Sequence, residues 1–169
     1  MQLKDHFLAQ LDREAPRSKK VLERMPDGKK DWKPHDKSMA FGYLAEIVAT
    51  IPSWVAMAIT MNELDLNPPD GKKVPRPTLD STADYAQAHE RAVAEAKAAL
   101  QNATDEFLNT PWKLLFGGNV VMEQPRHVVI QDTFNHAAHH RGQMTVYLRL
   151  LGATVPSTYG PSADDRSFV

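Results

Sequence analysis

The chain reads as an all-α protein, a single antiparallel bundle of four long helices with short irregular or extended excursions. Three observations predict this. Apolar residues recur at three- and four-residue spacing in four separate stretches of the 169-residue chain. Turn chemistry bounds each stretch: Pro26-Asp27-Gly28, the proline-rich run from Asn67 to Pro77, Thr110-Pro111, and Gly152. No internal repeat or boundary divides the chain, so residues 1–169 form one domain.

The first helix spans residues 2–25, on the spacing of Leu3, Phe7, Leu8, Leu11, Val21, Leu22 and Met25. Pro16 predicts a kink or a division within it, because proline removes a backbone donor and crowds the preceding turn. Ser38 is placed as the N-cap of the second helix. From Phe41 to Met61 that helix is apolar on more than one face, which makes it central, and Pro52 predicts a break. Ser81 and Asp84 resemble a capping box that opens an alanine-rich third helix running to Ala103. Gly117-Gly118-Asn119 reads as a turn flanked by a short extended pair. Gln124-Pro125 opens the fourth helix, which runs to Leu151 with Gly152 as its C-terminal cap.

Composition narrows the chemistry. The net charge is −1 with cations spread along the chain, which argues against a nucleic-acid partner. There are no cysteines, so disulfides, thiolate metal sites and a cysteine nucleophile are excluded. The longest apolar run, Val48 to Met61, is short for a bilayer and holds Pro52, and Met1 to Arg13 lacks the apolar core of a signal peptide. The expectation is a cytoplasmic protein with no membrane partner.

Three of the seven histidines fall in Asn135-His136-Ala137-Ala138-His139-His140-Arg141-Gly142-Gln143. His136 and His140 are one helical turn apart and stack on one face, a spacing that lets two imidazoles share a metal. Ordinary exposed or hydrogen-bonded histidines are the competing reading. Ile130, Phe134, Ala137, Met144, Leu148 and Leu151 form the apolar stripe, and the histidine pair lies about 100° from its centre, where a cleft between helices would be lined. Gln143 and Tyr147 share the pair's face and are placed to orient a ligand, or are ordinary half-buried residues. His139 points away, and His127 is too far along the helix. Arg141 falls on the apolar stripe and needs a carboxylate partner or an exposed end, with Asp132, Glu123 and Asp84 as candidate partners.

These residues carry a family resemblance. Asp132 to Gln143 followed by Tyr147-Leu148-Arg149-Leu150-Leu151-Gly152 resembles the last helix of the DinB/YfiT-like four-helix-bundle proteins. The tail from Val155-Pro156 to Asp164, Trp32-Lys33-Pro34-His35 and Ile51-Pro52-Ser53-Trp54 extend the likeness over essentially the whole chain. The resemblance implies a divalent metal, zinc or nickel, held by one histidine from the second helix and a His-x-x-x-His pair matched by His136 and His140. It also implies metal-dependent hydrolase or small-thiol transferase chemistry on a low-molecular-weight thiol, and a homodimer. One position departs from the pattern. Where the family carries Leu-Ala-x-His-x-Ala, this chain has Leu44-Ala45-Glu46-Ile47-Val48-Ala49, so isoleucine replaces the third ligand. Glu46 is the adjacent candidate for the third ligand, although a one-residue shift turns a side chain by about 100°. His35 and His6 are further candidates. The alternative is a non-catalytic, dimeric interaction or stress-response module with a vestigial metal site.

Overall fold

The computed structural model describes residues 2–72 and 75–167. Residues 73–74 of the proline-rich loop and 168–169 of the tail lie outside the described residues. Helix α1 is Leu3–Leu22, α2 Phe41–Thr50, α3 Ser53–Thr60, α4 Thr82–Gln101, α5 Asp105–Leu108 and α6 Arg126–Leu150. Strands β1 (Glu63–Asp65), β2 (Pro111–Phe116) and β3 (Asn119–Pro125) form one sheet in that order. The fold is therefore mostly helical with a small sheet, and the expectation of a purely all-α bundle is corrected. The hairpin about Gly117-Gly118 is the extended pair that the turn chemistry predicts; both glycines take positive φ (62° and 79°). The parallel pairing of β1 onto β2 was not anticipated, because three residues, Glu63-Leu64-Asp65, are too few to show an alternation.

The two helix prolines behave differently, and packing explains why. Pro52 breaks the second apolar stretch into α2 and α3, whose axes differ by 52°. The Ser53 hydroxyl donates to the Thr50 carbonyl at 2.7 Å, taking up an acceptor at the break. Pro16 leaves α1 continuous. Buried Phe7 and Leu11 before it pack into one apolar cluster, and Val21 and Leu22 after it into another, so both halves of the helix are held by burial. That burial offsets a proline cost of about 3 kcal/mol.

Capping corrects two boundaries. The second helix starts at Phe41 with Ala40 at the N-cap, and Ser38 caps nothing. The preceding loop does that work: the Phe41 N–H donates to the Trp32 carbonyl at 2.9 Å and the Gly42 N–H to the Lys30 carbonyl at 2.7 Å. The crossing is tight, since a Cβ on Gly42 would stand 2.8 Å from the Lys30 Cβ. The last helix starts at Arg126, because Gln124 and Pro125 are paired in β3 with Trp112 and Pro111. The Ser81–Asp84 capping box is present in full. Gly152 (φ 73°) terminates α6, with the Ala153 N–H donating to the Leu148 carbonyl.

The core falls into two apolar clusters. One gathers Val21, Leu22, Phe41, Leu44, Tyr85, Met144 and Leu148; the other gathers Phe7, Leu11, Val55, Ala96, Leu100, Ile130 and Phe134. Between them, on three helices, lie the buried polar residues Ser18, His89 and Arg141, with Glu14 beside them. Among the described residues no single helix is long and apolar enough to cross a membrane.

Candidate metal centre

Helix α6 delivers the predicted pair. The Nε2 atoms of His136 and His140 face each other at 2.7 Å. The Nδ1 of His140 lies 2.7 Å from Oε1 of Gln143, so its N–H donates there and its Nε2 keeps a free lone pair. The His136 Nε2–H then donates to that lone pair. Burial pushes the His136 imidazole below its ordinary pKa, as do the His140 and His139 rings beside it. Burial does the same to His140, against the Gln143 hydrogen bond. Both shifts favour the neutral ring, the form that ligates a metal. The edge of Trp54 packs on the His136 ring, with centroids 5.2 Å apart.

The donor set fits a metal in part. Two zinc–nitrogen bonds of about 2.1 Å at a tetrahedral angle need nitrogens about 3.4 Å apart, so ring rotations of under 1 Å admit the ion in place of the shared proton. A third protein donor is missing from the arrangement: among the described residues no group of three or more His, Cys, Asp or Glu side chains is placed to hold a metal ion. The structure puts Glu46 elsewhere. Both its carboxylate oxygens accept from Arg76, at 2.6 and 2.7 Å, and that guanidinium also lies over the Tyr43 ring. His35 Nδ1 accepts from the Lys37 backbone and the His6 ring packs on Phe7, so both are engaged locally.

The other expected residues divide. Gln143, expected to orient a ligand, instead hydrogen-bonds His140. Tyr147 is a core residue, packed edge-on against Trp32 and tilted against Phe41, with its hydroxyl donating to the Met39 carbonyl. His139 is exposed, its ring edge-on to His140. His127 sits against the Leu108 carbonyl. Arg141 takes none of the three carboxylates expected for it. Its partner is Glu14 on α1, with Ser18 Oγ at 3.0 Å and the Tyr159 hydroxyl completing the cluster. The tail thus folds back through Tyr159, whose hydroxyl donates to Glu14 at 2.9 Å.

His136 borders a cavity of about 340 Å³ between α3, the hairpin and α6, walled by Trp54, Met57, Trp112 and Leu114. Glu46 and Ile47 line a second cavity of about 380 Å³ under the proline-rich loop; Trp54, Met57, Leu64 and Leu66 line both. Arg126, also missed in the sequence, holds this end together. Its buried guanidinium donates to the Ala58 and Met61 carbonyls, to Asn62 and to Thr110, and stacks on Phe107. No spacing rule marks Arg126 or Trp54, because their partners come from other elements.

A bundle with a histidine pair on its last helix and an attached hairpin defines a class, and comparison with known proteins agrees. Residues 1–167 match the DinB family, and the chain belongs to it. It is 28% identical over 164 residues to the uncharacterized protein YrdA of Bacillus subtilis strain 168, covering 95% of this chain and 90% of that protein. The solved DinB-like protein of Bacillus cereus ATCC 10987 superposes with a TM-score of 0.69 at 25% identity, covering 92% of this chain and 97% of that one. The fold is also similar to the DinB-like protein YjoA of Bacillus subtilis, with a TM-score of 0.68 at 19% identity over 95% of this chain and 99% of that one.

Proposed function

We propose that this DinB-family chain binds a divalent metal, zinc or nickel, through Nε2 of His136 and Nε2 of His140. Its chemistry on this reading is that of a metal-dependent hydrolase or small-thiol transferase, carried out by a cytoplasmic homodimer. The observation that carries the reading is the convergence of two imidazole nitrogens, with His136 at the edge of a cavity. A metal so bound supplies Lewis-acid polarisation of a water or a thiol at its open positions. The chain's own residues set the frame. Gln143 holds the His140 ring with its lone pair outward. Trp54 packs against His136 and restrains its rotation. With two protein donors the affinity is below that of a three-histidine site.

Metal analysis of protein prepared without a histidine tag tests this. About one equivalent is expected after loading with zinc or nickel, lost when His136 and His140 are both replaced by alanine (stoichiometry from the site logic of). Bound metal below about a tenth of an equivalent, unchanged by the replacement, rules the reading out. Glu46 serves here to anchor Arg76 and the loop it belongs to. Glu46→Gln should leave zinc affinity within about twofold; a larger loss would reinstate Glu46 as a ligand.

The second reading, a non-catalytic dimeric interaction module with a vestigial site, is favoured by Ile47 at the ligand position and by the engagement of Glu46 with Arg76. Ile47→His separates the two. A large gain in zinc affinity from an undetectable start supports the vestigial site. A modest gain on an already occupied pair supports metal binding. Sedimentation of the native protein reports the dimer independently.

A further inference from the structure

The cavity beside His136 has a composition that the metal reading leaves unused. Its volume of about 340 Å³ lies in the range of small-molecule sites, roughly 300–1,000 Å³. Trp54 and Met57 wall it from α3, Trp112, Leu114 and Met122 from the hairpin, and Val129 from α6. Apart from the Trp112 indole, the polar groups sit on the α6 wall: Asp132, Thr133 and His136. The Thr133 hydroxyl is already used, donating to the Val129 carbonyl at 2.9 Å. On the hairpin wall the indole N–H of Trp112, a residue only 5% exposed, has no hydrogen-bond partner and is the one polar atom there. No lysine or arginine lines the space, and Asp132 adds a negative charge. A phosphate or a polyanion would be repelled, and a sugar would leave its hydroxyls unpaired. Domain interiors are close-packed, so a void of this size ringed by indole, thioether and leucine side chains suits an apolar guest.

We infer that this cavity takes the apolar body of a small molecule, an alkyl chain or an aromatic ring system, whose head group donates an electron pair at the His136–His140 pair. The head-group part rests on the two-histidine metal reading; the cavity part does not. Leu66 offers the way to test it. It lines the cavity but is 52% exposed, so a polar replacement there leaves the folded core intact.

The experiment titrates zinc-loaded protein with octanohydroxamic acid and with acetohydroxamic acid, following tryptophan fluorescence and heat. The two probes share a chelating head and differ in six methylenes. The longer probe is expected to bind at least about thirtyfold more tightly, from the transfer free energy of buried methylenes. Leu66→Asp should cut that preference at least about fivefold while zinc affinity stays unchanged. Equal affinities of the two probes for the loaded protein overturn the inference and leave the metal reading standing. If zinc alone fails to bind, the metal reading falls, and the same pair of probes is compared on metal-free protein. A preference for the longer chain that Leu66→Asp abolishes then upholds the cavity assignment, and its absence overturns it.

Discussion

Arg141 shows how much one side chain can organise. It is 1% exposed, and its charge is met by Glu14, Ser18 and Tyr159. Burial alone would raise the Glu14 carboxyl, but the Arg141 guanidinium, the hydrogen bonds from Arg141 and Tyr159, and Arg17 together hold it below its ordinary value. Arg141→Met should therefore destabilise the fold by up to about 3 kcal/mol, because it removes the buried partner of Glu14 and leaves Arg17 alone to meet that carboxylate. Adding Glu14→Gln should recover part of the loss, and urea midpoints of the single and double variants measure the coupling. His89 makes a second prediction. Burial pushes its imidazole below the ordinary histidine value of about 6.5, and its Nε2–H donates to the Ala15 carbonyl. Arg141 works in the same direction and Glu90 against it. The unfolded chain thus takes up a proton that the folded chain refuses. Stability from this group is full above pH about 6.5 and falls as pH drops toward the lower folded pKa. Unfolding free energies at pH 7.5 and 5.5 should differ less in His89→Gln than in the native chain, and an unchanged difference would contradict the assignment.

At the scale of elements, local chemistry and tertiary packing decide different boundaries. The start of α4 is local: Ser81 accepts from the Asp84 N–H while the Asp84 carboxylate accepts from the Ser81 N–H. Ser81→Ala should cost about 1 kcal/mol, measured by thermal unfolding. The start of α2 is not local. Its first N–H groups go to the Trp32 and Lys30 carbonyls, and Gly42 sits where that loop crosses the helix. Gly42→Ala would gain helix propensity in isolation. In this fold it should lose stability, by about 1–3 kcal/mol, because the Lys30 backbone must move. A stabilised Gly42→Ala protein would show that the crossing is loose. The pair Pro16 and Pro52 teaches the same lesson, since identical local chemistry breaks one helix and leaves the other continuous.

Across the whole molecule, the tail acts as a strap over the bundle. The Asp164 carboxylate takes Arg149 of α6 and the Val155 N–H, and Asp165 gathers the N–H groups of Ser157 and Ser167. Both carboxyls are held below their ordinary range, Asp164 chiefly by the Arg149 hydrogen bond and Asp165 chiefly by the Ser167 hydroxyl. The strap ends its reach at Tyr159, on the polar layer that separates the two apolar clusters. Truncation after Ala153 should uncover that layer and lower the melting temperature by about 5–10 °C, for a loss of about 2–3 kcal/mol. Calorimetry of the truncated chain reads this directly, and an unchanged transition would deny the strap its role.

Helical periodicity, the Ser81–Asp84 box, the Gly152 terminus, the Gly117-Gly118 hairpin and the His136–His140 pair were legible in the sequence. Each depends on residues within a turn or two of one another, where spacing alone sets geometry. The family was legible for the same reason, as a string of local motifs. Only the tertiary structure decided that Arg141 meets Glu14, that Arg76 occupies Glu46, that β1 joins the sheet, and that Trp54 and Trp112 wall a cavity beside His136. Those partners come from distant segments, and which of several chemically equivalent carboxylates or aromatics arrives is set by how the helices cross, not by any spacing along the chain.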